Sequence, residues 1–192
     1  IIAKPLMRMA GAEAHALHGM GREDIDARCL DWRPFVIEAD SPKKRNIDLR
    51  LLERTVNKGR KVKVIGLRLS SKEEVRRVKE ARPEKTYRAL VQFSGPVEKP
   101  ERIRSIVGVI RQQTPTRVMH RRANLLRKRR VRLIRYKRVR GQIYEITVRG
   151  EAGLYVKELI TGDNGRTRPS VAETLGNPAK VLELDVLRIH LR

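Results

Sequence analysis

The sequence predicts an α+β domain, and three observations carry that prediction. Strand-like and helix-like segments follow one another in irregular order, one long basic segment ends in a period of two that turns back on itself, and 40% of the 192 residues are hydrophobic, enough to fill a core. Along the chain, Arg33 to Ala39 has strand character. Ser41 and Pro42 then open a helical stretch carrying Ile47, Leu49, Leu51, Leu52 and Val56. The order repeats. Val62, Val64, Gly66 and Leu67 lie in a predicted strand, and Ser70, Ser71, Glu73 and Glu74 start a charged helix, since serine hydroxyls cap free amides. Tyr87 to Phe93 is a further strand. Pro100 to Gln113 reads as a helix with Ile103, Ile106, Val107 and Ile110 on one face, closed by Thr114 and Pro115. Ile134 and Tyr136 then alternate with charges, the chain turns near Gly141, and Tyr144, Ile146 and Val148 return as the second arm of a half-buried hairpin. Leu154 to Ile160 reads as a short helix and Val181 to Leu191 as a final strand. No solenoid repeat or low-complexity linker interrupts this order, so residues 1–192 read as one domain.

Charge narrows the function classes. Lysine and arginine outnumber aspartate and glutamate by 45 to 22, for a formal net charge of +23. A thermophile's ion-pair surface would balance the signs. An unbalanced surplus repels itself unless a polyanion is near, so nucleic acid is the expected partner. The densest stretch is 117–140, with twelve arginines and lysines and no acidic residue. Phosphate contacts from such a face would position RNA without reading its sequence. No apolar run approaches the roughly 20 residues that span a bilayer, and the N-terminus lacks a signal-peptide pattern. A soluble, cytoplasmic protein is expected. Cys29 is the only cysteine, which excludes an intrachain disulfide and a CxxC zinc site. His15, His18, His120 and His190 lack metal-site spacing, so no metal is expected. The start at Ile1, without methionine, reads as part of a longer protein.

Three short segments carry candidate chemistry. The first is the loop Gly21, Arg22, Glu23, Asp24, Ile25, Asp26, Ala27, Arg28. The second is Lys85, Thr86, Tyr87, Arg88, Ala89 at the start of a strand. The third is Glu151, Ala152, Gly153, Leu154, Tyr155, Val156, Lys157 leading into a helix. Taken singly, each has an ordinary explanation as a solvated loop, a packed tyrosine or a helix-surface lysine.

Taken in order, an Arg-x-Asp loop, a Lys-x-Tyr strand and a Gly-x-Tyr-x-Lys helix resemble the three motifs of pseudouridine synthases. The segments Thr114 to Arg122 and Gly162 to Thr167 resemble the Pus-ten type, the archaeal and eukaryotic enzymes that modify T-arm positions 54 and 55 of tRNA. The resemblance runs from about Gly19 to the C-terminus. It implies a pseudouridine synthase fold with a mixed, mainly antiparallel sheet flanked by helices, an isomerase without cofactor, tRNA as partner, and action as a monomer. It also implies roles. Asp24 corresponds to the catalytic aspartate, with Asp26 the rival carboxylate, acting either as a nucleophile or by stabilising charge at ribose C1′. Lys157 corresponds to the basic partner, and Tyr87 to the tyrosine beneath the uracil. Arg22 corresponds to the residue that fills the vacated stack when the uridine flips out. Tyr155, Arg117, Arg121, Arg122 and Arg166 are expected on the RNA.

Two departures stand out. Leu30, Asp31, Trp32, Arg33 and Pro34 lack a glycine-containing turn expected before Arg-Pro-Phe, and the family's upstream zinc-bearing, RNA-binding domain has no counterpart here. The competing class is a catalytically silent RNA-binding protein, such as a ribosomal or assembly factor. A DNA-binding regulator would need a helix-turn-helix that the sequence does not display.

Overall fold

The computed structural model describes residues 1–191. Where the sequence reads as one domain, the chain forms two compact units: Ile1–Arg22 with Trp32–Ala81, and Glu23–Asp31 with the chain from Arg82 onward.

In the first unit, helix α1 (Ala3–Ala10) precedes strand β1 (Ala14–Gly19). β2 (Arg28–Cys29) belongs to the second unit, and β3 (Phe35–Asp40) pairs antiparallel with β1. Helix α2 (Leu49–Asn57) starts later than Ser41 and Pro42 predict. Ser41 takes a positive φ and the Lys44 amide donates to the Ala10 carbonyl, so this stretch turns back on α1. The true cap is Asp48, whose carboxylate accepts from the Leu51 amide at 2.9 Å. The strand predicted over Val62, Val64, Gly66 and Leu67 does not form. The Asn57 side-chain amide donates to the Val64 carbonyl and accepts from the Val64 amide, each at 2.8 Å. It thus supplies the two bonds a neighbouring strand would have made. Val64 still packs with Leu6, Leu52 and Val56. Helix α3 (Lys72–Glu80) begins where the serines predict, with Ser71 as its cap.

The second unit is built on seven strands. β4 (Glu84–Phe93), β5 (Gly108–Gln113), β6 (Leu126–Arg140), β7 (Ile143–Gly150), β8 (Thr167–Arg168) and β9 (Ala179–His190) join β2 in the order β2-β9-β4-β7-β6-β5-β8. Only β2 and β9 run parallel. Helices α4 (Val156–Thr161) and α5 (Val171–Leu175) contribute Leu159, Ile160 and Val171 to the core formed by Tyr87, Ala89, Val91, Ile146 and Val148. Each fully buried aliphatic side chain contributes roughly 1.5–3 kcal/mol. The predicted α+β class is the class observed.

The helix predicted over Pro100 to Gln113 is instead a 3₁₀ helix, Pro100–Ile106, followed by β5. Gly108 has φ 133°, a conformation that ends a helix, and the next residues pair with β6 and β8. Ile103, Ile106 and Ile110 are buried either way, but Val107 is not. The predicted hairpin forms as β6 and β7. Beyond Val131, β6 pairs with β7 alone among the described residues, leaving a free edge that carries Arg135, Lys137 and Arg140. The hairpin leads into α4 through a close approach, since a Cβ on Gly150 would lie 2.5 Å from Leu154 Cδ2.

Candidate active site

The second unit holds the loop from Glu23 to Ala27 at both ends. At its start, Glu23 Oε1 accepts from Lys85 Nζ at 2.6 Å, and both side chains are nearly buried. At its end, Arg28 forks onto Asp185, with Nε 2.6 Å from Oδ1 and Nη2 3.0 Å from Oδ2. Arg88 Nη2 donates to the same carboxylate at 2.6 Å. Burial alone would raise the Asp185 pKa. The two guanidiniums overcome it and hold the carboxyl below its ordinary value. Between these anchors the Ala27 amide donates to the Asp24 carbonyl at 3.1 Å, closing a tight turn. Ile25, between the two aspartates, is fully exposed.

Each aspartate has its own cation. Arg117, in the 3₁₀ helix Thr116–Arg121, donates from Nη1 to Asp24 Oδ1 at 2.6 Å. The same guanidinium donates from Nε to Glu158 Oε1 at 2.7 Å and from Nη2 to Glu158 Oε2 at 3.3 Å. Burial would lower the Arg117 pKa, but the paired carboxylates of Glu158 and Asp24 raise it above its ordinary value. Lys157, on α4 beside Glu158, donates to Asp26 Oδ2 at 2.6 Å. That hydrogen bond, with the charges of Lys157 and Arg117, holds the Asp26 carboxyl below its usual range against desolvation. The arrangement gathers three carboxylates and two cations where the loop, the 3₁₀ helix and α4 meet. Lys157, expected as the basic partner of Asp24, is instead bonded to Asp26, and Arg117 takes the place on Asp24.

The surrounding bonds fix α4 and the 3₁₀ helix. Buried Gln112 accepts from the Tyr155 amide and donates to the Tyr155 carbonyl, both at 3.0 Å. Gly153, at φ 81°, makes the turn into Tyr155. Arg122 donates to the Tyr155 hydroxyl at 2.9 Å. Asp163 accepts from the Thr116 amide at 2.9 Å. Arg166 donates to the Thr114 carbonyl at 2.8 Å and to Asn124 Oδ1 at 2.6 Å, so its guanidinium is engaged in holding this corner together. Arg121 is exposed and has no hydrogen-bond or ion-pair partner among the described residues. Arg22 is exposed at the end of the first unit's opening segment. Tyr87 sits in the core with the inward face of β4, two residues from Lys85.

Sequence reasoning missed the roles of five residues: Glu23 and Lys85 as one anchor, Asp185 as the second, Gln112, and Glu158. Glu158 had a local signal, being the only acid in the run Val156 to Ile160, whose other members except Lys157 are apolar. The others become partners only through contacts distant in sequence. Among the described residues, no group of three or more His, Cys, Asp or Glu is placed to hold a metal ion, and no helix is long and apolar enough to cross a membrane.

The fold resembles that of solved structures. A solved structure of a Cbf5-Nop10-Gar1 complex superposes with a TM-score of 0.59 at 20% identity, covering 98% of this chain and 44% of that one. An H/ACA RNP bound to a substrate RNA containing 2'-deoxyuridine gives 0.53 at 18%, covering 98% of this chain and 42% of that one. These two likenesses are of fold alone, a mixed sheet flanked by helices. The family model described as Pus10, C-terminal, matches residues 1–190, and the chain belongs to this family. Proteins named tRNA pseudouridine synthase Pus10 from Methanothrix thermoacetophila and Archaeoglobus fulgidus are each 47% identical over 98% of this chain, covering 43% and 54% of their own length. The chain thus spans about half the length of the curated relatives it matches.

Proposed function

We propose that this chain is the catalytic domain of a tRNA pseudouridine synthase, isomerising uridine to pseudouridine in the T-arm at position 54, 55 or both, with Asp24 as the catalytic aspartate. The observation that carries this reading is Asp24 itself, on a loop anchored at both ends and held by Arg117 beside α4. Family membership and the relatives' names support the activity.

In the reaction, the bond from ribose C1′ to N1 of uracil breaks, the base turns, and a bond from C1′ to C5 forms. The C5 proton leaves and N1 gains one, so no electrons or outside atoms are exchanged. A carboxylate suits the step in which C1′ carries positive character, as in glycoside chemistry. The uridine must leave its stack to reach Asp24. Tyr87 floors the base pocket and Arg22 fills the gap left in the RNA. Lys157, through Asp26, keeps a second carboxylate charged and tied to α4. Exposed arginines, Arg121 among them, hold the phosphate backbone, and recognition of the T-arm is mainly by shape.

The test is to incubate the protein and its Asp24→Ala variant with unmodified tRNA transcript and map pseudouridine by an adduct that arrests reverse transcription. Product in the T-arm from wild type alone supports the reading. Salt-sensitive binding without product from either protein supports the silent RNA binder.

A further inference from the structure

Arg117 is bound along two edges of one planar group. Its Nε and Nη2 face both oxygens of Glu158, and the remaining Nη1 faces Asp24. An arginine presents five N–H donors in a fixed fork, so seating two of them fixes the direction of the rest. The two carboxylates are not equivalent. Glu158 is 6% exposed and fixed on α4, whereas Asp24 is 24% exposed on the loop. The 3₁₀ helix that carries Arg117 is itself tied down, because the Thr116 amide donates to Asp163. The buried acid therefore sets the plane of the guanidinium, and the exposed acid is the partner able to turn toward a substrate.

From this geometry we infer that Glu158 is a positioning residue: it seats Arg117 so that one N–H stays aimed at Asp24 while Asp24 works on the ribose. The inference rests on the isomerase reading above. Glu158 is bonded to Arg117 rather than to Asp24 and acts through it. It also keeps Arg117 neutralised at the stage when the Asp24 charge is engaged with C1′. Without it, a partly buried cation would have only the reacting carboxylate as partner, and its orientation would be lost.

Two readouts test this in the intact protein. Glu158→Gln removes the charge and one acceptor at nearly constant volume. It is expected to lower kcat about tenfold or more with KM changed less than about twofold, the pattern of a lost transition-state interaction. In the free protein, the Arg117 Nε–H NMR signal is expected to exchange with water at least about tenfold faster in the variant. Wild-type kcat in Glu158→Gln, or an unchanged exchange rate, overturns the inference. Should that variant fail to fold, Arg117→Lys keeps the charge without the fork and carries the same kinetic expectation; wild-type kcat from it is equally fatal. If wild type makes no pseudouridine, the isomerase reading fails, and the exchange measurement still decides whether Glu158 seats Arg117.

Discussion

Lys85 Nζ lies 2.6 Å from Glu23 Oε1 with both side chains almost wholly shielded from water. The residue before Asp24 is thereby fastened to the face of β4 that also carries Tyr87. Replacing Glu23 takes from the nearly buried Lys85 ammonium the carboxylate that it faces. Lys85→Met and Glu23→Gln are each expected to lower stability, Glu23→Gln by about 3–5 kcal/mol, and the paired change Lys85→Met with Glu23→Leu to recover most of that loss. Urea denaturation checks it; losses that simply add in the double variant would mean that the two groups are uncoupled.

Asp24 and Asp26 differ in their cation and in their exposure, at 24% and 64%. Asp24→Asn is expected to retain tRNA affinity and lose product formation by at least on the order of a thousandfold, as when an essential catalytic group is removed. Asp26→Asn is expected to keep measurable turnover. Single-turnover assays with saturating enzyme separate the two. The reverse ranking would move the catalytic role to Asp26.

Asp185 supplies a pH dependence. Its folded pKa lies below the ordinary value of 3.8, because Arg28 and Arg88 outweigh burial. A depressed acid contributes stability that is present above the unfolded pKa and is lost as pH falls through the folded one. Thermal melts should therefore steepen in their acid dependence below about pH 4. Asp185→Asn should flatten that limb, and an unchanged slope would show that the pair is not linked to folding.

The free edge of β6 offers a test of RNA contact. Arg135, Lys137 and Arg140 are exposed, and none has an ion-pair partner among the described residues. Replacing all three with serine is expected to weaken tRNA binding and to reduce the slope of log affinity against log salt by roughly two to three, about 0.7–0.9 per lost phosphate contact. Titrations across a salt series measure the slope. An unchanged slope would mean that tRNA does not lie along this edge.

Local pattern and long-range contact divided the fold between them. The β6–β7 hairpin was legible because alternation over many residues admits one reading, and the serine cap of α3 because capping is local. Ile103, Ile106 and Ile110 fit a helical face but were equally served by a 3₁₀ helix and a strand, and only pairing with β6 and β8 chose between them. Val64 has strand chemistry, yet an asparagine side chain from α2 took its backbone bonds.

The site divides in the same way. The sequence by itself determined the basic character, the α+β class and the three motif segments, because charge, periodicity and short spacing are local properties of the chain. Only the tertiary structure decided that Arg117, one cation within a long basic run, reaches across ninety-three positions to Asp24 while Lys157 goes to Asp26. Which cation meets which carboxylate depends on where folding places the 3₁₀ helix, α4 and the loop, and a distance of 2.6 Å between groups so far apart in sequence is set by packing alone.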